Sequence, residues 1–197
     1  MIRDTPDAMA AAFLIVFVCT GNRFRSPLAA ELLRRATDGV PVEVASVGTL
    51  DLGALPALPE AIEEAARLGI DLSTHRARSM QSLQTADLVV GFERIHVVTA
   101  VVEGGASRER AFTLTELVHH LELFRAPAEA DPLERARLAI ALANGARPPN
   151  PLLSAVGEIS DPLGKPRRVQ RQIAEQLQLL TDRLAAALFH RQGESDA

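Results

Sequence analysis

The chain has no tryptophan, no tyrosine and a single cysteine, Cys19. One cysteine excludes an internal disulfide framework and a cysteine-rich metal site. It also fits a reducing compartment, and the expected location is cytoplasmic. Basic residues are not in excess. Lys and Arg number 21 against 25 Asp and Glu, for a net charge of −4. A nucleic-acid partner would call for the opposite balance. No apolar run reaches the ~20 residues of a membrane-spanning helix. The apolar stretch Ala8 to Val18 is not read as a signal peptide. Asp4 and Asp7 spoil a positive leader, and no small-x-small cleavage site ends the run.

What is present is enough apolar residue for a sizeable core, 47% of 197. Phe13-Leu-Ile-Val-Phe-Val18 is continuous and rich in β-branched and aromatic residues. That is the signature of a central parallel strand covered on both faces. Further strands are expected at Val42–Ala45, Ala86–Gly91 and Ala111–Thr113. Helices are expected at 28–35, with Ser26 as N-cap and Pro27 in the first turn, then 59–68, 93–102, 117–123, 133–144 and 165–190. A further short helix is expected near 79–84. Alternation of strands and helices at this spacing gives βαβ units and a parallel sheet. The fold class is therefore α/β: a three-layer, flavodoxin-like, four-stranded parallel sheet flanked by helices, with a helical insertion at 125–151. Residues 1–12 read as a disordered leader, 13–190 as one domain and 191–197 as a frayed tail.

The loop after the first strand carries the chemistry. Val18-Cys-Thr-Gly-Asn-Arg-Phe-Arg-Ser-Pro27 joins a buried strand to a helix N-terminus, a natural anion site. Gly21 permits close backbone approach. Asn22 tolerates the left-handed conformation that curls amides into a nest. Amides and helix end both favour a thiolate at Cys19. Arg25, six positions on, can fork onto two oxygens of the same anion. A thiolate, a nest (Thr20, Gly21, Asn22, Arg23, Phe24) and an arginine around one tetrahedral oxyanion equip a protein for phosphoryl transfer to cysteine.

This string resembles the phosphate-binding loop of the low-molecular-weight protein tyrosine phosphatases. Val44-Ala-Ser46-Val-Gly-Thr49, Gly69 to Arg78, Ala86 to His96 and a late Asp161-Pro162 agree with that family in order. The resemblance implies that Cys19 attacks phosphorus, that Arg25 and the loop amides hold the equatorial oxygens, and that Ser26 donates to the cysteine. It implies Asp161 as general acid and base, with Asn22, Ser46 and His75 bracing the loop. No metal and no cofactor are implied. The implied partner is a phosphoprotein, phosphotyrosine foremost, or a small phosphate ester. Oligomeric state is not legible. Asp131-Pro132 repeats the acid's dipeptide, but capping the helix that follows is its expected task.

The chain departs from the family pattern at its pocket. Phe24 stands where members often carry a second cysteine, and Arg23 where they carry an aliphatic residue. Leu163 and Gly164 follow Asp161-Pro162 in place of aromatics. Leu50, Leu52 and Phe24 are left as candidate walls, with less stacking energy for a phenyl ring. Two other readings stand beside phosphatase. One is a phosphate-binding module without turnover. The other is an arsenate reductase-like protein, whose disulfide relay needs cysteines this chain lacks.

Overall fold

A computed structural model describes residues 13–124, 131–148 and 156–189. The expected leader at 1–12 and tail at 191–197 lie outside the described residues. Four strands form one parallel sheet in the order β2-β1-β3-β4: β1 Phe13–Cys19, β2 Val42–Gly48, β3 Leu88–Gly91 and β4 Ala111–Thr113. The helices are α1 Arg25–Ala36, α2 Pro59–Arg67, α3 Arg94–Val102, α4 Leu114–Leu123, α5 Pro132–Gly145 and α6 Arg167–Phe189.

Strand alternation divides the core. Phe13, Ile15 and Phe17 of β1 face one side, where they meet buried residues of α1, α4, α5 and α6. Val16 and Val18 face the other, against Ala100 of α3 and the loop residues Leu83 and Ala86. The result is the expected three-layer α/β architecture. Central position explains why β1 is apolar throughout: both of its faces are covered. Phe13, Phe17, Phe92 and Phe112 are each 0% exposed. Burial of such a ring is worth roughly 2–3 kcal/mol.

Helix α6 runs Ile173, Leu177, Leu180 and Leu184 into the core at helical spacing, as expected. Helix α5 lies in the stretch read as an insertion, yet it is not peripheral. Ala136, Ala139, Ile140 and Ala143 are buried in the main core. Asp131 caps α5 by accepting from the Leu133 amide at 2.8 Å. Arg147 ties the far end of α5 to β4. It bonds to Glu116 at 3.0 Å, to the Arg108 carbonyl at 2.8 Å and to the Ala111 carbonyl, and stacks over the Phe112 ring at 3.6 Å.

Two local expectations are corrected. No helix forms at 79–84, because that segment gives its backbone amides to the end of β2 and to the turn after α3. The Met80 amide donates to the Gly48 carbonyl at 2.8 Å, and the Leu83 amide to the Gly104 carbonyl at 2.7 Å. Ser26 is not the N-cap of α1. The helix begins at Arg25, Phe24 stands at the cap with no side-chain hydrogen bond, and the Ser26 hydroxyl is engaged elsewhere.

Candidate active site

The loop 20–24 turns at the carboxyl edge of the sheet, between β1 and the N-terminus of α1. Asn22 shapes it. Its φ of 52° lies in the left-handed region, which asparagine tolerates. Its side chain is 0% exposed and fully used. Asn22 Nδ2 donates to Ser26 Oγ and to Ser46 Oγ, both at 2.9 Å, and its Oδ1 accepts from the Arg78 amide at 2.9 Å. His75 Nε2 meets the Asn22 carbonyl at 2.7 Å. Gly48 lets the loop come close to β2: a Cβ there would lie 2.9 Å from the Thr20 carbonyl oxygen. Asn22, Ser46 and His75, which the family resemblance names as braces, thus converge on one loop.

Cys19 sits at the end of β1, at the floor of this loop. Its Sγ is 3.0 Å from Ser26 Oγ and 3.3 Å from the Asn22 amide nitrogen, which donates to it. Ser26 Oγ already accepts from Asn22, so its proton is free to point at sulfur or at the Val47 carbonyl, 3.3 Å away. First-turn amides of α1 carry no side-chain cap, which leaves the positive end of the helix to an anion.

Arg25 is 2% exposed and held from three sides. Nη1 donates to Glu93 Oε2 at 2.6 Å and to the Ile159 carbonyl at 3.0 Å, and Nη2 lies 3.1 Å from Asp161 Oδ2. Asp161 also accepts from the Leu163 amide at 3.0 Å. It stands well before α6, so it does not cap that helix. Cys19, Thr20, Gly21, Arg23, Phe24, Arg25 and Asp161 all line one cavity of about 150 Å³. Leu50 and Leu52, expected as walls, are joined by Leu58 and Leu163. Three larger cavities among the described residues, of about 350, 460 and 540 Å³, contain neither Cys19 nor Arg25. Among the described residues no cluster of His, Cys, Asp and Glu could hold a metal ion.

Two residues with no role assigned from sequence complete the site. Glu93 grips Arg25 from the start of α3. His96 is 1% exposed. Its Nδ1 accepts from the Glu93 amide at 3.1 Å, so Nε2 carries the proton and donates to Thr20 Oγ1 at 3.0 Å. Burial, then the nearby Arg25 charge, push the His96 pKa down from 6.5 to about 4. His75 is also lowered, first by burial.

A pH dependence follows. Between about pH 6.5 and 4 the unfolded chain protonates His96 and the folded chain does not. Stability is therefore full above 6.5 and falls as pH drops through this window. The loss from pH 7 to pH 4.5 is about 2–3 kcal/mol from this group. Urea midpoints at the two pH values check it, and His96→Asn is expected to flatten the difference.

A buried cysteine, an arginine and a carboxylate thus meet where a strand, a loop and a helix N-terminus join in an α/β fold. The family model for low molecular weight phosphotyrosine protein phosphatase matches residues 14–137, and the chain belongs to that family. A protein named "Probable low molecular weight protein-tyrosine-phosphatase EpsP" from Ralstonia solanacearum is 45% identical over 78 residues, 39% of this chain and 52% of that protein. The chain thus matches about half the length of that relative. A protein-arginine-phosphatase of Bacillus subtilis is 34% identical over 107 residues, 53% of this chain and 71% of that protein. Among solved structures, a cysteine-to-serine mutant of the YwlE arginine phosphatase with a phosphorylated active-site serine aligns at TM-score 0.63 and 25% identity. That alignment covers 93% of this chain and 97% of the other. Asp161 lies beyond the region matched by the family model, so its assignment rests on its position beside Arg25.

Proposed function

We propose that the protein is a phosphatase that hydrolyses phosphomonoesters on proteins, phosphotyrosine foremost, through a phosphocysteine intermediate. The observation that carries this reading is the meeting of Cys19, Arg25 and Asp161 in one small cavity, with the Asn22 amide donating to Cys19 Sγ. The mutant relative with phosphorylated serine in its active site supports a phosphoryl group carried on the enzyme.

The steps balance without a co-reactant other than water. The Cys19 thiolate, accepting from Ser26 and the Asn22 amide, attacks phosphorus as the ester P–O bond breaks. Arg25 and the loop amides bind the three equatorial oxygens and offset the charge that builds there. Asp161 gives its proton to the departing oxygen. A dianion in the cavity competes for Arg25 Nη2 and so releases the Asp161 carboxyl from its 3.1 Å contact. The ionised Asp161 then takes a proton from water, which attacks phosphorus. The P–S bond breaks, returning the thiolate and inorganic phosphate. Glu93 keeps Arg25 in place through both steps. A thiolate that must stay reduced fits a cytoplasmic setting.

The arginine phosphatase relatives raise phosphoarginine as a second substrate. Arg23 in the cavity wall opposes it, because a substrate guanidinium would enter beside a like charge. Matched phosphotyrosine and phosphoarginine peptides, compared by kcat/KM, are expected to favour phosphotyrosine at least about tenfold. Equal or better use of phosphoarginine would reverse the choice. Phosphate protection with no turnover of either would leave a binding module.

A further inference from the structure

Arg23 is in no ion pair among the described residues. Its Nε donates to the Pro56 carbonyl at 2.8 Å, which fixes the guanidinium at the cavity mouth. Pro56 is also where a second arginine arrives, because Pro56 and Arg76 form an antiparallel bridge. The segment Arg76-Ala77-Arg78 is extended and alternates. Ala77 is 6% exposed, with its amide on the Leu55 carbonyl at 2.8 Å, while Arg76 and Arg78 are exposed. The Arg78 amide is the donor to Asn22 Oδ1, so this segment is tied to the back of the phosphate loop. Arg76 turns Nη1 to the His75 carbonyl at 2.8 Å, and among the described residues neither it nor Arg78 joins an ion pair. Arg78 lines the crevice on the outer side of the 51–53 loop, whose inner side carries Leu52 of the cavity wall.

Of the nearby carboxylates, Glu31 has a cationic partner, while Asp71 and Asp51, which shares the Arg78 crevice, cap local turns and keep their charge. Asp51 accepts from the Gly53 amide, Asp71 from the Ser73 amide, and Glu31 pairs with Arg34. Positive charge therefore extends from Arg23 in the cavity wall, past Arg76 beside Pro56, to Arg78 in the adjoining crevice, in a chain whose net charge is −4. Asp161 lines the same cavity as Arg23. Backbone contacts hold Arg23 and the 76–78 segment in place without neutralising them.

We propose that Arg23, Arg76 and Arg78 form a subsite for acidic residues flanking the phosphorylated residue, so that the preferred substrate is an acidic phosphopeptide segment. This rests on the phosphatase reading above. A peptide fits better than a small ester because the basic edge runs from the cavity wall along an extended segment, longer than one phosphate ester reaches. An exposed ion pair is worth a factor of roughly two to five, so two engaged at once give about tenfold. The preference decays with salt because exposed charges are screened.

The test uses the full chain and two phosphotyrosine peptides, one with Asp or Glu on both sides of the phosphoresidue and one with Ala there. Wild type is expected to prefer the acidic peptide by about tenfold in kcat/KM at low salt, and by less than about threefold at 0.5 M salt. The double variant Arg76→Gln, Arg78→Gln is expected to keep its p-nitrophenyl phosphate turnover and lose most of the preference. Arg23→Gln is read only through the acidic-to-neutral ratio, which is expected to fall. The same ratio is measured as binding to the Cys19→Ser protein, so it exists even without turnover. Equal use and equal binding of the two peptides by wild type would overturn the subsite. So would a preference unchanged by all three substitutions together. Absence of p-nitrophenyl phosphate turnover with the binding preference intact would sink the phosphatase reading and leave the acidic subsite standing.

Discussion

Replacing Cys19 by serine is expected to lower p-nitrophenyl phosphate turnover by on the order of 10⁴-fold or more. The change is nearly isosteric, so the fold should persist. Oxygen would keep the hydrogen bond to Ser26 and could still accept from the Asn22 amide, the contacts Sγ now makes at 3.0 and 3.3 Å. What is lost is the sulfur nucleophile of the proposed mechanism. A hydroxyl stays protonated at neutral pH, and a neutral oxygen is a poor nucleophile where no general base stands beside it. Phosphate binding should survive, since Arg25 and the amides are untouched. Steady-state rates and a phosphate-dependent rise in Tm, measured on the same sample, separate the two effects. Turnover within tenfold of wild type would mean that some other group attacks phosphorus.

Asp161→Asn is expected to cost about 10²–10⁴-fold in kcat on a phosphotyrosine peptide. In kcat/KM, which reports steps up to formation of the phosphocysteine, the loss should be much smaller on an ester whose leaving group departs easily, such as p-nitrophenol, because such an oxygen needs little proton donation. This contrast distinguishes an acid from a residue that merely positions Arg25. Loss of positioning would hurt both substrates alike. Stability should change little. The Asp161 side chain is 46% exposed, and Arg25 keeps Glu93 at 2.6 Å and the Ile159 carbonyl at 3.0 Å as partners.

The sheet was legible because β1 must be apolar on both faces and because turns and helices alternate with strands. The loop was legible because its residues are contiguous: Cys19, Gly21, Asn22, Arg25 and Ser26 act on one another within a single turn of chain. Glu93 and His96 were not, although they flank the same cavity. Their roles come from sheet register. Val18 of β1 pairs with Gly91 of β3, which brings the start of α3 beside Thr20 and Arg25. Nothing in the local sequence states that pairing. The short spacing Glu93-x-x-His96 was the available signal, since it places a carboxylate and an imidazole on one helical turn. Ser26 was misread as a cap for a related reason. Serine before proline is a common helix start, and only the approach of Asn22 and Cys19 shows its hydroxyl to be taken. The 79–84 segment failed as a helix because β2's end offered its backbone better-placed partners.

The central claim is that sulfur carries the phosphoryl group between the two half-reactions. The direct measurement is rapid quenching of the wild-type enzyme during steady turnover, followed by mass spectrometry of the peptide that contains Cys19. The account predicts one phosphoryl group on that peptide, located on sulfur, and enriched when Asp161→Asn turns over p-nitrophenyl phosphate, where hydrolysis is slowed more than formation. Continued turnover with the phosphoryl group on another residue, or with none on the protein in either form, would contradict it.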